Sequence, residues 1–250
     1  MHNELFTIGP VTIYGYGLMI GIGIIAALFV ATHRAGKYQL SEDTILGITI
    51  CAVLFGFLGA KLLYCIILWE SFIKDPLSVL GRNGFVVFGG IIGGSLAAWV
   101  YCRIKKAKFL DYFDHIMPSI AIAQAFGRIG CFLAGCCYGR ETDSFLGIAF
   151  TNSHFAPNGV KLLPTQLFSS AGDFLLAAIL IWYAGRKKHS GTVGALYLIL
   201  YSIGRFIIEC MRADERGSVL GLSTSQFISV FTLLFGLILF VVFSKKTEKE

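Results

Sequence analysis

Arg128 lies near the middle of an apolar run, residues 116–138, which reads IMPSIAIAQAFGRIGCFLAGCCY. A cation at the centre of a membrane-crossing helix costs roughly 2.5–3.5 kcal/mol on insertion scales, so an ionisable group there marks a functional site by default. The stretch around it, residues 127–140, is GRIGCFLAGCCYGR. It joins that cation to four glycines, three cysteines and a closing Arg140. A second set of charges sits in a later apolar run. Arg205, Glu209 and Arg212 fall at i, i+4 and i+7 and so share one helix face, which Tyr201 extends by a turn. Gln166 follows Pro164-Thr165 at the start of one run, Gln226 opens the last, and Tyr14 and Tyr16 lie near the outer end of the first.

These residue types suit the binding of an anion. Arg205 and Glu209 can neutralise each other as a structural pair. Arg128, Arg140, Arg205 and Arg212 together still face few acids, namely Glu209 with Glu141 and Asp114 as possible partners. Surplus guanidinium at membrane depth is most simply met by a ligand with phosphate oxygens, which its fork matches. The membrane supplies one such ligand in quantity, the phospholipid headgroup. Intramembrane charge also marks ion pathways. Against a transporter stand the lack of an inverted repeat or paired broken spans, and the gathering of polar residues toward one side.

The seven cysteines form no recognisable zinc spacing, and none of the five histidines lies close in sequence to the cysteine cluster. Cys51, Cys65, Cys131 and Cys210 sit in or beside apolar runs, where cysteine serves as a small buried hydrophobe. Cys136 or Cys137 near Arg140 has a second reading, as a covalent nucleophile, against buried or disulfide-forming cysteine. Nothing in the sequence requires a metal or an organic cofactor.

The elements that must position these groups are membrane helices. Of 250 residues, 56% are hydrophobic and only 14% charged, which excludes an ordinary soluble domain. The net charge of +6 is spread in short clusters between apolar spans, which argues against a nucleic-acid partner. Seven spans of near the roughly 20 residues a crossing needs are expected at about 13–32, 44–69, 85–101, 116–137, 166–184, 193–210 and 227–244. The fold class is therefore all-α and polytopic, a single transmembrane domain over 1–250. The longest non-apolar stretch, residues 139–164, is expected to hold a short extracytoplasmic element. The start MHNELFTIGP lacks a basic region, so no cleaved signal peptide is expected.

Alternate connections carry twelve of the lysines and arginines (34, 37, 103, 105, 106, 108, 186–188, 245, 246, 249). The others carry six (Lys74, Arg82, Arg140, Lys161, Arg212, Arg216). The positive-inside rule then puts the amino terminus outside and the carboxyl terminus in the cytoplasm. Glycine pairs at Gly17/Gly21, Gly89/Gly93, Gly90/Gly94 and Gly135/Gly139 suit close helix packing. Gly89-Gly90 is also a place where backbone can be exposed to a ligand.

Taken in order, these elements resemble the bacterial prolipoprotein diacylglyceryl transferases over nearly the whole chain. The carriers are Ile8-Gly9-Pro10 with Tyr14-Gly15-Tyr16-Gly17-Leu18-Met19, Gly89-Gly90, and Asp114 and Pro118 ahead of Gly127-Arg128-Ile129-Gly130. They continue with Gly135 and Gly139-Arg140, Pro164-Thr165-Gln166-Leu167, Tyr201 with Gly204-Arg205-Phe206, Glu209, Arg212 and Asp214, and Leu222-Ser223 with Gln226 and Ser229.

The resemblance implies a multi-pass protein of the bacterial cytoplasmic membrane with its site toward the extracytoplasmic side. It implies phosphatidylglycerol and prolipoprotein signal peptides with a lipobox cysteine as partners. The reaction would transfer diacylglyceryl to the lipobox thiol, forming a thioether and releasing glycerol-1-phosphate. Arg128, Arg205 and Tyr201 would be catalytic, and Tyr16, Gly89, Gly90, Arg140, Gln166, Glu209 and Arg212 would bind substrate. The chain departs from the family pattern at Phe88, where the family has a histidine. It departs also at Cys131 and Ala134 for two asparagines, and at Cys136 and Ser169 for two glutamates. With no histidine base, an arginine-rich site would lower the incoming thiol's pKa directly.

Overall fold

In lipid the backbone must satisfy its own hydrogen bonds, and apolar stretches of this length do so as helices. A computed structural model describes residues 4–8, 11–82, 84–186, 189–214, 217–219 and 221–245. Of the residues the sequence singles out, Gly9, Pro10, Lys187, Lys188, Arg216, Lys246 and Lys249 lie outside the described residues. Among those described, seven helices are long and apolar enough to cross a membrane. The protein is thus mostly helical and polytopic, as its hydropathy predicts.

The helices are α1 (Gly15–Ala35), α2 (Glu42–Ile67), α3 (Trp69–Lys74), α4 (Pro76–Gly81), α5 (Val87–Ile104), α6 (Phe109–Ala134), α7 (Thr165–Ala184), α8 (Thr192–Glu209) and α9 (Thr224–Lys245). Hydropathy misses α3 and α4, which are too short to cross. Asp75-Pro76 reads as a turn, yet it starts α4. The Asp75 carboxylate accepts from Ser78 N at 3.1 Å, and Pro76 occupies the first turn, where its missing N–H is harmless.

The chain forms two compact units, one of Met1–Val30 with Phe113–Glu250 and one of Ala31–Tyr112. In the smaller unit α2 and α5 pack through glycine. A Cβ on Gly59 would meet Gly89 O, and one on Gly93 would meet Phe55 O. One on Gly94 would lie 3.0 Å from Ala52 O. This is the close approach that small residues allow where lipid offers no hydrophobic drive for association. Lys61, a cation inside α2, donates to Arg82 O at 2.7 Å and lies over the Tyr64 and Phe85 rings.

In the larger unit, β1 (Glu4–Ile8) and β2 (Val11–Tyr14) form an antiparallel hairpin ahead of α1. Glycines bring α1 onto α6. A Cβ on Gly23 would lie 3.0 Å from Phe126 Cβ, and one on Gly130 would lie 3.1 Å from the Tyr16 ring. At Gly17 and Gly21, expected to pack a neighbour, a Cβ would meet no other element within 4 Å. Gly135 and Gly139 lie beyond the end of α6, so that pair is no helix interface either.

Asp114 is the clearest correction in this unit. It was expected among the possible arginine partners. Instead it is buried against the start of α8, accepting from Gly191 N at 2.7 Å and Gly194 N at 2.8 Å. A carboxylate there satisfies orphan N–H groups and complements the helix dipole.

Residues 139–164 contain a two-stranded ribbon, β3 (Ile148–Ala149) with β4 (Lys161–Leu162). Phe150, Ala156 and Leu162 are buried there, and Phe132, Tyr138 and Val160 pack on them. Helix α9 begins with a capping box. Gln226 N donates to Ser223 Oγ at 3.2 Å, and Ser223 N donates to Gln226 Oε1 at 3.0 Å.

Candidate active site

Three helices of the larger unit meet around a cavity of about 340 Å³. Helix α6 contributes Arg128, α7 contributes Ser169 and Asp173, and α8 contributes Tyr201 and Arg205, among otherwise apolar side chains. All three residues expected to be catalytic therefore line one space. An apolar cavity with a few convergent polar groups is what a small-molecule or lipid headgroup site looks like.

The two arginines are held differently. Arg205 Nη2 pairs with Glu209 Oε2 at 2.7 Å and donates to Ser225 Oγ at 2.8 Å. These contacts fix one edge of the fork. Its other nitrogen, Nη1, is buried without a hydrogen-bond partner among the described residues. A buried donor left unmade costs about 1–3 kcal/mol, more for a charged group, a cost that a ligand oxygen would remove. Arg128 has no hydrogen bond or salt bridge among the described residues, and lies within electrostatic range of Tyr201, Asp173 and Arg205. Tyr201 is oriented by stacking on Tyr197, with ring centroids 5.5 Å apart and planes 10° from parallel. Tyr197 in turn donates to Gln124 Oε1 at 2.9 Å.

Asp173 is the site residue that spacing arguments pass over. It is buried, and it is the only charged residue within α7. The rule that singles out Arg128 applies equally to a lone carboxylate in an apolar span. It faces both arginines and supplies the negative charge that Asp114 and Glu141 do not.

The remaining expected residues stand outside the cavity lining. Glu209 reaches it through Arg205. Arg212 does not continue the α8 face, because the helix ends at Glu209. The chain there turns to pair with residues 138–140: Arg140 N donates to Met211 O at 3.0 Å, and Ala213 N donates to Tyr138 O at 3.4 Å. A Cβ on Gly139 would lie 2.8 Å from Leu163 and Thr165 atoms, so only glycine fits between them. Arg212 then forks onto Asp214, at 2.8 Å through Nε and 2.7 Å through Nη2. Arg140 is exposed. Tyr16 packs its ring on Gly130. Gln166 is fully buried; its Nε2 donates to Cys136 O at 2.7 Å, while Oε1 has no partner among the described residues. Gly89 and Gly90 belong to the smaller unit and have a packing reason there, since Gly89 is buried against Gly59 and Leu63.

Beside the cavity, and out of reach of any spacing argument, the sulfurs of Cys131, Cys136 and Cys137 come together, all within 4.8 Å of one another. No disulfide joins cysteines among the described residues. Hydrogen bonds from the Cys131 and Cys136 thiols, and then the Arg212 guanidinium, hold the Cys137 thiol far below its ordinary range. Cys136 is pushed the other way by its hydrogen bonds to Cys131 and Cys137. Burial opposes the charge on Arg212, but Asp214 and the Cys137 sulfur together raise its pKa above the ordinary value.

Comparison with known proteins adds the family. The model of the family described as prolipoprotein diacylglyceryl transferase matches residues 3–242. A phosphatidylglycerol–prolipoprotein diacylglyceryl transferase of Clostridium tetani is 49% identical over 242 residues, covering 96% of this chain and 97% of its own. The second such transferase of Clostridium perfringens is 48% identical, covering 95% and 94%. One from Finegoldia magna is 34% identical over 253 residues, covering 100% and 99%. With matches along its whole length, and with Arg128 and Arg205 of its family-like segments lining one cavity, this chain belongs to the prolipoprotein diacylglyceryl transferase family.

Proposed function

We propose that this protein is a transferase that moves the diacylglyceryl group of phosphatidylglycerol onto the lipobox cysteine thiol of prolipoproteins. The observation that carries this reading is the cavity in which Arg128 and Arg205 converge, with Arg205 Nη1 buried and without a partner among the described residues. A phosphodiester monoanion fits between two such forks. As the thiolate attacks the glycerol carbon that bears the phosphate ester, the carbon–oxygen bond breaks and a thioether forms. Glycerol-1-phosphate leaves with the bonding electron pair, so its charge grows in the transition state. Fixed cations stabilise that growing charge most.

Tyr201 donates to a phosphate or glycerol oxygen from its stacked position. Asp173 takes the thiol proton. Phe88 stands where the family has a histidine, and Asp173 is the carboxylate that lines the cavity. Gln166 and Tyr16, at the starts of α7 and α1, serve as further substrate contacts, with Arg140 and Arg212 binding at the rim.

In this reading the site opens to the extracytoplasmic side of the bacterial cytoplasmic membrane, because the lysine- and arginine-rich connections lie at the opposite helix ends. A reporter fused after Lys249 is expected to be active only in the cytoplasm; an extracytoplasmic reporter would reverse the orientation. The reaction itself is tested with purified protein, phosphatidylglycerol and a lipobox peptide. The peptide is expected to gain the mass of one diacylglyceryl group on its cysteine. Transport of the headgroup across vesicles without a covalent product would sink the proposal.

A further inference from the structure

Cys131, Cys136 and Cys137 take no part in the transfer as derived above, yet the fold goes to some length to bring them together. Cys131 lies in the last turn of α6, and the chain then reverses at Gly135, whose φ is +72°. Cys136 N donates back to Cys131 O at 3.1 Å. Cys137 has a φ of +65°, in the left-handed region that costs a residue with a Cβ roughly 1–2 kcal/mol. That backbone state, a rare one for cysteine, accompanies the meeting of its sulfur with the other two. Both following carbonyls are pinned: Gln166 Nε2 donates to Cys136 O at 2.7 Å, and Thr165 Oγ1 donates to Cys137 O at 2.8 Å. Thr165 and Gln166 are themselves fully buried. Cysteine as a filler of apolar space does not call for three sulfurs facing one another on a strained and doubly anchored turn. Strain held this firmly points to function.

We propose that Cys131, Cys136 and Cys137 form a binding site for a thiophilic divalent ion, Zn²⁺ or its analogue Cd²⁺. Thiolate–zinc bonds of about 2.3 Å put bound sulfurs roughly 3.8 Å apart. From separations of 4.8 Å or less, closure by under about 1 Å suffices. An all-sulfur set favours soft ions over magnesium, calcium or manganese. Three thiolates around a divalent ion leave one net negative charge. Arg212 hydrogen-bonds the Cys137 sulfur and offsets that charge, while Asp214 fixes the guanidinium from its other side. Such outer partners orient ligands and tune the ion. Three protein ligands leave the fourth position to water or a further thiol. The site does not depend on the transferase reading, since its test needs no turnover.

The test uses untagged full-length protein in detergent, reduced and freed of metal. Cd²⁺ is expected to bind at about one ion per chain with a thiolate-to-cadmium charge-transfer absorption. Cys131→Ser, Cys136→Ser and Cys137→Ser each weaken binding by about tenfold or more, and Cys210→Ser leaves it unchanged. In the unmutated protein, Zn²⁺ is expected to slow maleimide alkylation of the three thiols, mapped by peptide mass, while exposed Cys210 stays reactive. The alkylation arm does not rely on variants that fail to fold. Absence of the charge-transfer band, or equal alkylation of the three thiols with and without Zn²⁺, would overturn the proposal.

Discussion

Arg205→Ala is expected to lower kcat/KM for diacylglyceryl transfer by about 10³-fold or more, and Arg128→Ala by a similar factor. The reason lies in how charge changes along the reaction. Phosphatidylglycerol enters with one phosphate charge, and the leaving glycerol phosphate gains a second. A guanidinium that meets the growing charge stabilises the transition state more than the bound lipid. Its removal should therefore fall on kcat more than on KM. A factor of 10³ corresponds to about 4 kcal/mol of lost stabilisation. Arg205 is also the better anchored of the two, since Glu209 and Ser225 fix one edge of its fork and aim the other. Arg205→Lys keeps the charge but loses the fork, and is expected to fall between wild type and Arg205→Ala. The measurement is steady-state transfer to a lipobox peptide, with thermal unfolding in detergent as the check on folding. Near-normal kcat in both alanine variants would remove the phosphate clamp.

Asp173→Asn is expected to lower transfer at neutral pH by about 10²–10⁴-fold, the usual worth of a general base. The substitution keeps shape and hydrogen-bonding size and removes the charge, so a purely packing role predicts little change. The pH profile separates base catalysis from a mere electrostatic balance. A free thiol ionises near about 8.5, and without a base the rate depends on the thiolate already present. The variant's rate should then rise about tenfold per pH unit up to that point and recover part of the loss. An unchanged rate at neutral pH would leave Asp173 a packing role, and a loss that alkaline pH does not relieve would assign it to holding the two arginines together instead.

Much of the fold was legible because lipid leaves few options. A span without water to satisfy its backbone becomes a helix, so apolar length alone locates the seven crossings to within a few residues, apart from an earlier start of α6. Arg128 and Arg205 were legible for a related reason, since charge in an apolar span has to be accounted for. Asp173 carries the same signal, though it sits among the serines and glycine of the α7 start and has no spacing partner in sequence. What could not be read were the long-range partners. Asp114 resembles an arginine partner in sequence, and only the fold brings Gly191 and Gly194 to it. The i, i+4, i+7 spacing put Arg212 with Arg205. The pairing of residues 211–213 with 138–140 ends α8 first and sends Arg212 to Asp214 and Cys137. The cysteine cluster depends on a left-handed Cys137, which no local propensity predicts. Glycine spacing was right for α5 and wrong for Gly17/Gly21, because the spacing says nothing about whether a neighbour is there.

In the proposed mechanism the Arg128–Arg205 cavity holds the phosphate of the lipid while its diacylglyceryl group moves to a thiol. The most direct measurement follows both halves of one donor, with phosphatidylglycerol labelled at phosphorus and on its acyl chains. Purified protein and a lipobox peptide should place the acyl label on the peptide cysteine as a thioether. The phosphorus label should appear in water-soluble glycerol-1-phosphate in equal amount, and neither should move with Arg128→Ala or Arg205→Ala. Phosphorus retained on the peptide, or both labels moving at the normal rate in the arginine variants, would rule out this mechanism.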